Sequence, residues 1–332
     1  MKRIAINGFG RIGRLAFREL LDDKDLEVVA INDLASTEDL FMLLKYDSNF
    51  RMFNSSKLSF DAEHIIYKGK KIRVYKEPDA INLPWEKEKI DVVLECSGFY
   101  TDVEKANSHI KAGAKHVIIS APAKGECKTI VYNVNHDTLD GTEKIISAAS
   151  CTTNCLAPVL KVIDDNLKVE SGFMTTIHAT TNDQTTLDVV HKKGAYSRRG
   201  RSAMANIIPA ETGAAKAIGK VLPQVDGKLK GSAFRVPTID GSVVDLTVVV
   251  EKSTTKEEIN AMFEHEQNKT LKITMDPIVS SDVIGQKTGA LVDGLLTEVL
   301  DVNGKTTVKV VAWYDNELGY TNQMIRTMKV LI

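Results

Sequence analysis

RIAINGFGRIGRLAFREL runs from Arg3 to Leu20, and its reading decides the fold of the first half of the chain. RIAIN (Arg3–Asn7) is a short apolar run suited to a buried parallel strand. RIGRLAFREL places Ile12, Leu15, Ala16 and Leu20 on one face of a helix. Between them Gly8, Gly10 and Gly13 stand in G-x-G-x-x-G spacing. In a strand–turn–helix setting the first glycine makes the tight turn and the second lets backbone approach a pyrophosphate. The third permits close helix–strand packing, and the helix N-terminus faces the anion. Asp33 ends the next strand pattern, EVVAIND, 20 residues after Gly13, where a carboxylate accepts both ribose hydroxyls. The same charge repels a 2′-phosphate, so the expected cofactor is NAD and not NADP.

Working outward, strands and helices continue to alternate. Ser36 or Thr37 can cap EDLFMLLKY, with Glu38 and Asp39 at the positive end of that helix. DVVLECSG and HVIIS read as strands. Between them Thr101-x-x-Glu104 forms a capping box before DVEKANSHIKA, which Gly113 closes. Such alternation implies right-handed crossovers and an α/β fold with a doubly wound parallel sheet of Rossmann type over residues 1–150. After residue 150 the pattern changes. VESGFMTTIHATT, KLKGSAFRVP, SVVDLTVVVEK, LLTEVL and TTVKVVAWYD are longer strands with period-2 stretches, as in an α+β domain with a mostly antiparallel sheet. ETGAAKAIGKVL and the segment capped by Thr255 and Glu258 read as helices, as does the final DNELGYTNQMIRTMKVLI.

Composition sets the outer limits. A chain of 332 residues is long for one core, which favours two domains. Its net charge of -1 gives no global field for nucleic acid or an anionic membrane. MKRIAINGFG enters a strand at once, without a signal-peptide pattern, and no apolar run is long enough to span a membrane. Cys96, Cys127, Cys151 and Cys155 do not make a disulfide framework, so a reducing cytoplasm is expected. Cys151 and Cys155 stand at C-x3-C spacing without a second pair or an H-x3-H partner, so no metal site is expected.

The chemistry lies in SAASCTTNCLAPVLKVI (Ser147–Ile163), where a thiol stands at the start of a helical pattern. Terminal N–H groups lower a thiol pKa there and can form an oxyanion hole. Cys155, one turn further on, lacks those groups and reads as inert. Pro158 either starts the helix or bends it. A nucleophile needs a base, and His178, at the end of GFMTTIHATT, is the one histidine of seven surrounded by small hydroxyls. His64, His109, His116, His136, His191 and His265 read as charged or solvated positions. SRRGR (Ser197–Arg201) is a short basic tract, more consistent with a solvated loop than with a nucleic-acid patch in a near-neutral chain.

NGFGRIGR, ASCTTNCLAP, IIPAETGAAKA, AFRVP and WYDNELGY together resemble the signature segments of phosphorylating glyceraldehyde-3-phosphate dehydrogenases, in register along essentially the whole chain. The resemblance implies oxidation of D-glyceraldehyde 3-phosphate with NAD and inorganic phosphate to 1,3-bisphosphoglycerate, in glycolysis. Cys151 would be the nucleophile and thioester carrier, and His178 the base. It implies one anion site with Thr181 and Arg235 and another with Ser150, Thr152, Thr212 and Gly213, while Arg199 reaches toward the phosphates. Arg11 and Ile12 resemble the pyrophosphate-binding pair and Lys76 an adenine-side position. Ser120 and Asn316 resemble residues near the nicotinamide, Asn316 holding its carboxamide. The last helix, about residues 316–332, would then join the first domain, leaving 151–315 as the catalytic domain. A homotetramer is implied as well. Val189 and Val190 replace the small polar residue of NADP-using members, and the 189–203 loop departs from the family pattern. The related erythrose-4-phosphate dehydrogenase, which hydrolyses its thioester, is the alternative enzyme. A binding protein without turnover is the alternative class, and the presence of Cys151, His178 and Arg235 argues against it.

Overall fold

The structure, a computed structural model, describes residues 1–53, 56–194 and 196–332. The chain separates into two compact units. Met1–Tyr132, His136–Ser150 and Met324–Ile332 form one, and Asn133–Asn135 with Cys151–Gln323 form the other.

The first unit carries a nine-stranded sheet. Its order is Leu58–Phe60, His64–Tyr67, Lys70–Tyr75, Leu26–Asn32, Lys2–Asn7, Val92–Glu95, His116–Ile119, Ile145–Ser147 and Lys128–Thr129. All pairings from Lys70–Tyr75 onward are parallel. Lys2–Asn7 sits centrally and is buried from Ile4 to Asn7, as a strand covered on both faces must be. Strand order reverses there, with Leu26–Asn32 on one side and Val92–Glu95 on the other, so this is a Rossmann-type doubly wound sheet. The hairpin His64–Tyr75 adds an antiparallel edge that the strand–helix alternation does not announce. Its two-residue turn, Lys68–Gly69, has φ of 50° and 80°, the left-handed pair that matches strand twist.

Two local expectations are corrected. Asp102, rather than Thr101, caps the helix Val103–Lys111, its Oδ1 accepting from Glu104 N at 2.9 Å. Thr101 O accepts from Lys124 N at 2.9 Å and Val103 N donates to Lys124 O at 3.0 Å, so bridging to Lys124 carries the chain one residue further before it coils. His109 is not solvated but fully buried. Trp85 Nε1 donates to its Nδ1 at 3.0 Å, which leaves the proton on Nε2, 3.0 Å from Glu95 Oε2. Asn7 Nδ2 donates to the same oxygen at 2.5 Å, and Ser97 N donates to Oε1 at 2.8 Å. This buried polar cluster fixes the strand ends on which the glycine loop stands.

In the second unit a main sheet runs Ile208–Glu211, Leu229–Arg235, Val169–His178, Ser242–Val250, Lys305–Tyr314, Ala290–Asp293 and Leu271–Thr274, with Glu298–Val302 paired to Lys305–Tyr314. Most pairings are antiparallel. Val169–His178 with Leu229–Arg235 and Leu271–Thr274 with Ala290–Asp293 are parallel. The strands Ile208–Glu211, Ala290–Asp293 and Leu271–Thr274 were not anticipated, being only four residues each. The helix Cys151–Leu167 runs through Pro158, so it does not begin there. Thr255 and Glu258 form the expected capping box, and the last helix is Leu318–Leu331.

Candidate active site

Five adjacent parallel strands of the first unit end beside one another, and the residues following them are Lys76, Asp33, Gly8, Cys96 and Ser120. Gly8 has φ +88°, and a Cβ there would lie 2.4 Å from the Ser97 backbone. A Cβ on Gly13 would lie 2.1 Å from Gly8 O, so only glycine lets the helix pack this closely on the turn. Gly10, the cap of the helix Arg11–Leu20, supplies no capping side chain, and its Cβ position faces open space. That combination suits an anion at the helix N-terminus. Asp33 Oδ2 accepts from Phe9 N at 2.7 Å and Oδ1 from Ala35 N at 3.1 Å, which fixes the carboxylate beside the glycine turn. The residues therefore fit a dinucleotide. Ile12 is half-buried on this first helical turn and Lys76 is exposed. The Arg11 side chain turns to Asp47, with Nη1 2.5 Å from Oδ2. Ser120 N donates to Glu95 O at 3.0 Å.

The second unit builds a thiol site. Just before Cys151 the chain leaves the strand Ile145–Ser147 through Ala149, whose φ of +59° is left-handed for a residue with a Cβ, costing about 1 kcal/mol or more. Ser150 follows, and Cys151 begins the helix. Its Sγ lies 3.3 Å from His178 Nε2. The other imidazole nitrogen, Nδ1, lies 2.7 Å from Ala179 O, which only accepts, and 2.9 Å from Arg235 Nη1, which only donates; in the tautomer that directs its proton to Ala179 O, Nε2 is free to take one. Arg235 comes within 2.9 Å of Nδ1 and directs its Nη1 donors to Thr181 Oγ1 at 2.8 Å and Ala179 O at 3.2 Å. Its Nε is buried with no partner among the described residues, a donor left over for an anion. Asp183 links the group further, pairing with Arg199 and accepting from Thr181 Oγ1.

Electrostatics here differ from the sequence expectation of a thiol lowered by its helix. Burial pushes the Cys151 thiol up, while Arg235 and the N–H and hydroxyl of Thr152 pull it back. Burial, reinforced by the Arg235 charge, pushes His178 down to about 3. At rest the pair is therefore neutral thiol and neutral imidazole. Cys155 is fully buried, its Sγ 3.7 Å from Ala312 O, and burial holds its thiol well above the usual range.

The remaining candidates are spread around this group. Thr152 Oγ1 meets Tyr314 OH at 2.9 Å, and Thr176 Oγ1 meets the same hydroxyl at 2.8 Å, beneath the His178 ring. Thr212 and Gly213 precede the helix Ala214–Val221, with Thr212 Oγ1 accepting from Ala214 N at 3.2 Å. Asn316 is buried and held by Ser242 and Asp240. Sequence reasoning missed Asp183, Tyr314, Ser242 and Asp240. Asp183 had a signal, two residues after Thr181; the others are ordinary strand or turn residues until the fold gathers them. Among the described residues, no group of three or more His, Cys, Asp or Glu is arranged to hold a metal.

Asp240 and Asp315 are buried carboxyls whose like charges oppose one another, which favours one proton between the two. Burial and then the Asp315 charge push Asp240 up to about 8. The native state thus keeps a proton that the unfolded chain releases near pH 3.9, and stability falls as pH rises from about 4 to 8. Asp240→Asn keeps an acceptor for the Gly241 and Asn316 N–H groups without the titration. Its stability relative to the parent is expected to grow by on the order of 2 kcal/mol over that window in denaturant melts. A pH-independent difference would rule out the shared proton.

A glycine-turned dinucleotide fold in one unit and a thiol–imidazole pair in the other describe a nicotinamide-dependent dehydrogenase. Family models of glyceraldehyde 3-phosphate dehydrogenase match the chain, the NAD binding domain at residues 2–103 and the C-terminal domain at residues 150–316. Proteins named glyceraldehyde-3-phosphate dehydrogenase are similar along nearly their full length. That of Clostridium pasteurianum is 54% identical over 329 residues, covering 99% of this chain and 98% of the relative. That of Clostridium acetobutylicum is 54% identical over 328 residues, with the same coverage of 99% and 98%. That of Lactobacillus delbrueckii subsp. bulgaricus is 49% identical over 331 residues, covering 98% and 97%. The chain belongs to the glyceraldehyde-3-phosphate dehydrogenase family, and its cofactor is NAD.

Proposed function

We propose that the chain oxidises D-glyceraldehyde 3-phosphate and captures the product as an acyl phosphate, 1,3-bisphosphoglycerate, in glycolysis. The observation that carries this reading is the 3.3 Å contact between Cys151 Sγ and His178 Nε2, beside an arginine whose buried Nε has no partner among the described residues. Gly8, Gly10, Arg11, Ile12, Gly13, Asp33, Lys76, Ser120 and Asn316 would hold NAD. NAD, when bound, accepts the hydride from the aldehyde carbon. Cys151 Sγ attacks that carbon while Nε2 takes the thiol proton, giving a hemithioacetal. N–H groups at the start of the Cys151 helix stabilise its oxyanion. Loss of the hydride leaves a thioester on Cys151. Inorganic phosphate adds to the thioester carbonyl, and the departing sulfur recovers its proton from His178. Thr181, Arg235 and Arg199 suit the substrate phosphate; Ser150, Thr152, Thr212 and Gly213 suit the incoming one.

NADH formation from D-glyceraldehyde 3-phosphate tests the reading. Sustained turnover is expected only with inorganic phosphate, and a burst of about one NADH per chain without it. Steady phosphate-independent turnover with a preference for erythrose 4-phosphate would replace the proposal with the hydrolytic alternative.

A homotetramer fits the exposed apolar residues Phe173, Leu187, Val190 and Tyr196, and light scattering measures it directly. A cytoplasmic setting is supported by cysteines without disulfides among the described residues. No helix of the structure is long and apolar enough to cross a membrane.

A further inference from the structure

Asn316 is an amide whose useful face depends on which way it is turned. Its backbone N–H donates to Asp240 Oδ1 at 3.2 Å, which fixes the main chain. Its side chain is fixed by Ser242, a fully buried residue at the start of the strand Ser242–Val250. Ala179 N donates to Ser242 Oγ at 3.0 Å, so the hydroxyl proton must point elsewhere. It points to Asn316 Oδ1, 2.7 Å away. The amide oxygen is thereby held toward Ser242, and Nδ2, on the opposite arm of the amide, is the group left to meet a ligand. A site presenting an amide N–H suits a carbonyl oxygen.

The other end of this chain reaches the base. Ala179 carries the carbonyl that receives His178 Nδ1 at 2.7 Å and Arg235 Nη1 at 3.2 Å. One buried hydroxyl therefore steadies residue 179, whose carbonyl meets the imidazole, and also sets the orientation of Asn316. We propose that Ser242 is a positioning residue that locks the Asn316 amide with its N–H outward and holds the backbone on which the His178 proton rests. The inference rests on the reading that Asn316 meets the nicotinamide carboxamide, and it adds the residue that selects the amide orientation.

Ser242→Ala removes the only donor to Asn316 Oδ1 among the described residues and leaves the Ala179 N–H without its acceptor. Ser242→Cys keeps the volume but weakens donor and acceptor, and so guards against a packing artefact. Calorimetric titration with NAD is run on both, on Asn316→Ala and on the double variant Ser242→Ala/Asn316→Ala, after thermal melts confirm folding. Asn316→Ala and Ser242→Ala are each expected to weaken NAD binding by roughly tenfold, with the double variant no weaker than Asn316→Ala alone. Ser242→Cys should fall in the same direction. In the NAD-free protein, Ser242→Ala should also slow alkylation of Cys151 by iodoacetamide at neutral pH several-fold, whereas Asn316→Ala should not. Weaker NAD binding in Asn316→Ala with none in Ser242→Ala would overturn the positioning role alone. Unchanged binding in Asn316→Ala would overturn the underlying reading. Additive losses in the double variant would show that Ser242 acts on something other than the amide.

Discussion

Cys151→Ser is expected to abolish NAD reduction, by about ten-thousandfold or more, in a protein that still folds and still binds NAD. A hydroxyl in place of the thiol keeps the shape at the head of the helix Cys151–Leu167, but it is far less acidic and far less polarisable. The surroundings of Cys151 are arranged for sulfur. Arg235 and Thr152 offset a burial that alone pushes the thiol up, and that balance cannot bring a serine hydroxyl into range. Cys155→Ser supplies the contrast. That side chain is fully buried against Ala312 O, so the change should cost roughly 1 kcal/mol of stability and leave turnover nearly intact. Initial rates with and without phosphate, with calorimetry for NAD, check both variants. Turnover in Cys151→Ser above about a hundredth of the parent rate would remove Cys151 from the nucleophile's role.

The glycine turn, the parallel sheet and the antiparallel second sheet were legible because each rests on local rules. A strand buried on both faces is a run of Ile and Ala, and a dinucleotide turn needs glycine where a Cβ would strike Gly8 O or Ser97. What stayed hidden depends on long-range meetings. His109 reads as a surface residue in NSHIKA until Glu95 and Trp85 arrive from strand and loop positions 14 and 24 residues earlier. The four-residue strands of the second unit carry too little pattern to separate from loops. At the candidate site, residue type and surroundings single out Cys151 and His178, which the structure brings within 3.3 Å of each other, yet their protonation was not legible. A helix N-terminus lowers a thiol pKa, but whether burial outweighs it depends on packing that no window of sequence contains. The Arg235 charge on His178 likewise arises from the parallel register that pairs these two residues across neighbouring strands.

His178→Asn should lower kcat by about a thousandfold and move the alkylation profile of Cys151 to higher pH. In the parent, Nε2 lies 3.3 Å from Sγ, and in the proposed mechanism the tautomer with its Nδ1 proton directed to Ala179 O would let the imidazole accept the thiol proton as sulfur attacks. Burial and the Arg235 charge hold His178 down to about 3 while the thiol is intact. Two changes raise its basicity when needed. The thiolate forming beside it favours the imidazolium, and an anion paired to Arg235 offsets the repelling charge. Asparagine can hydrogen-bond but cannot take a proton at these pH values, so sulfur must ionise unaided into a buried setting that opposes it. Iodoacetamide labelling, read by mass at Cys151 across pH, should shift upward by about one unit or more in His178→Asn. Adding inorganic phosphate should accelerate labelling at neutral pH in the parent and not in the variant, since the anion acts through Arg235 on the imidazole. A profile indifferent to His178 would mean that Arg235 and the helix alone activate the thiol. The base would then have to be sought elsewhere.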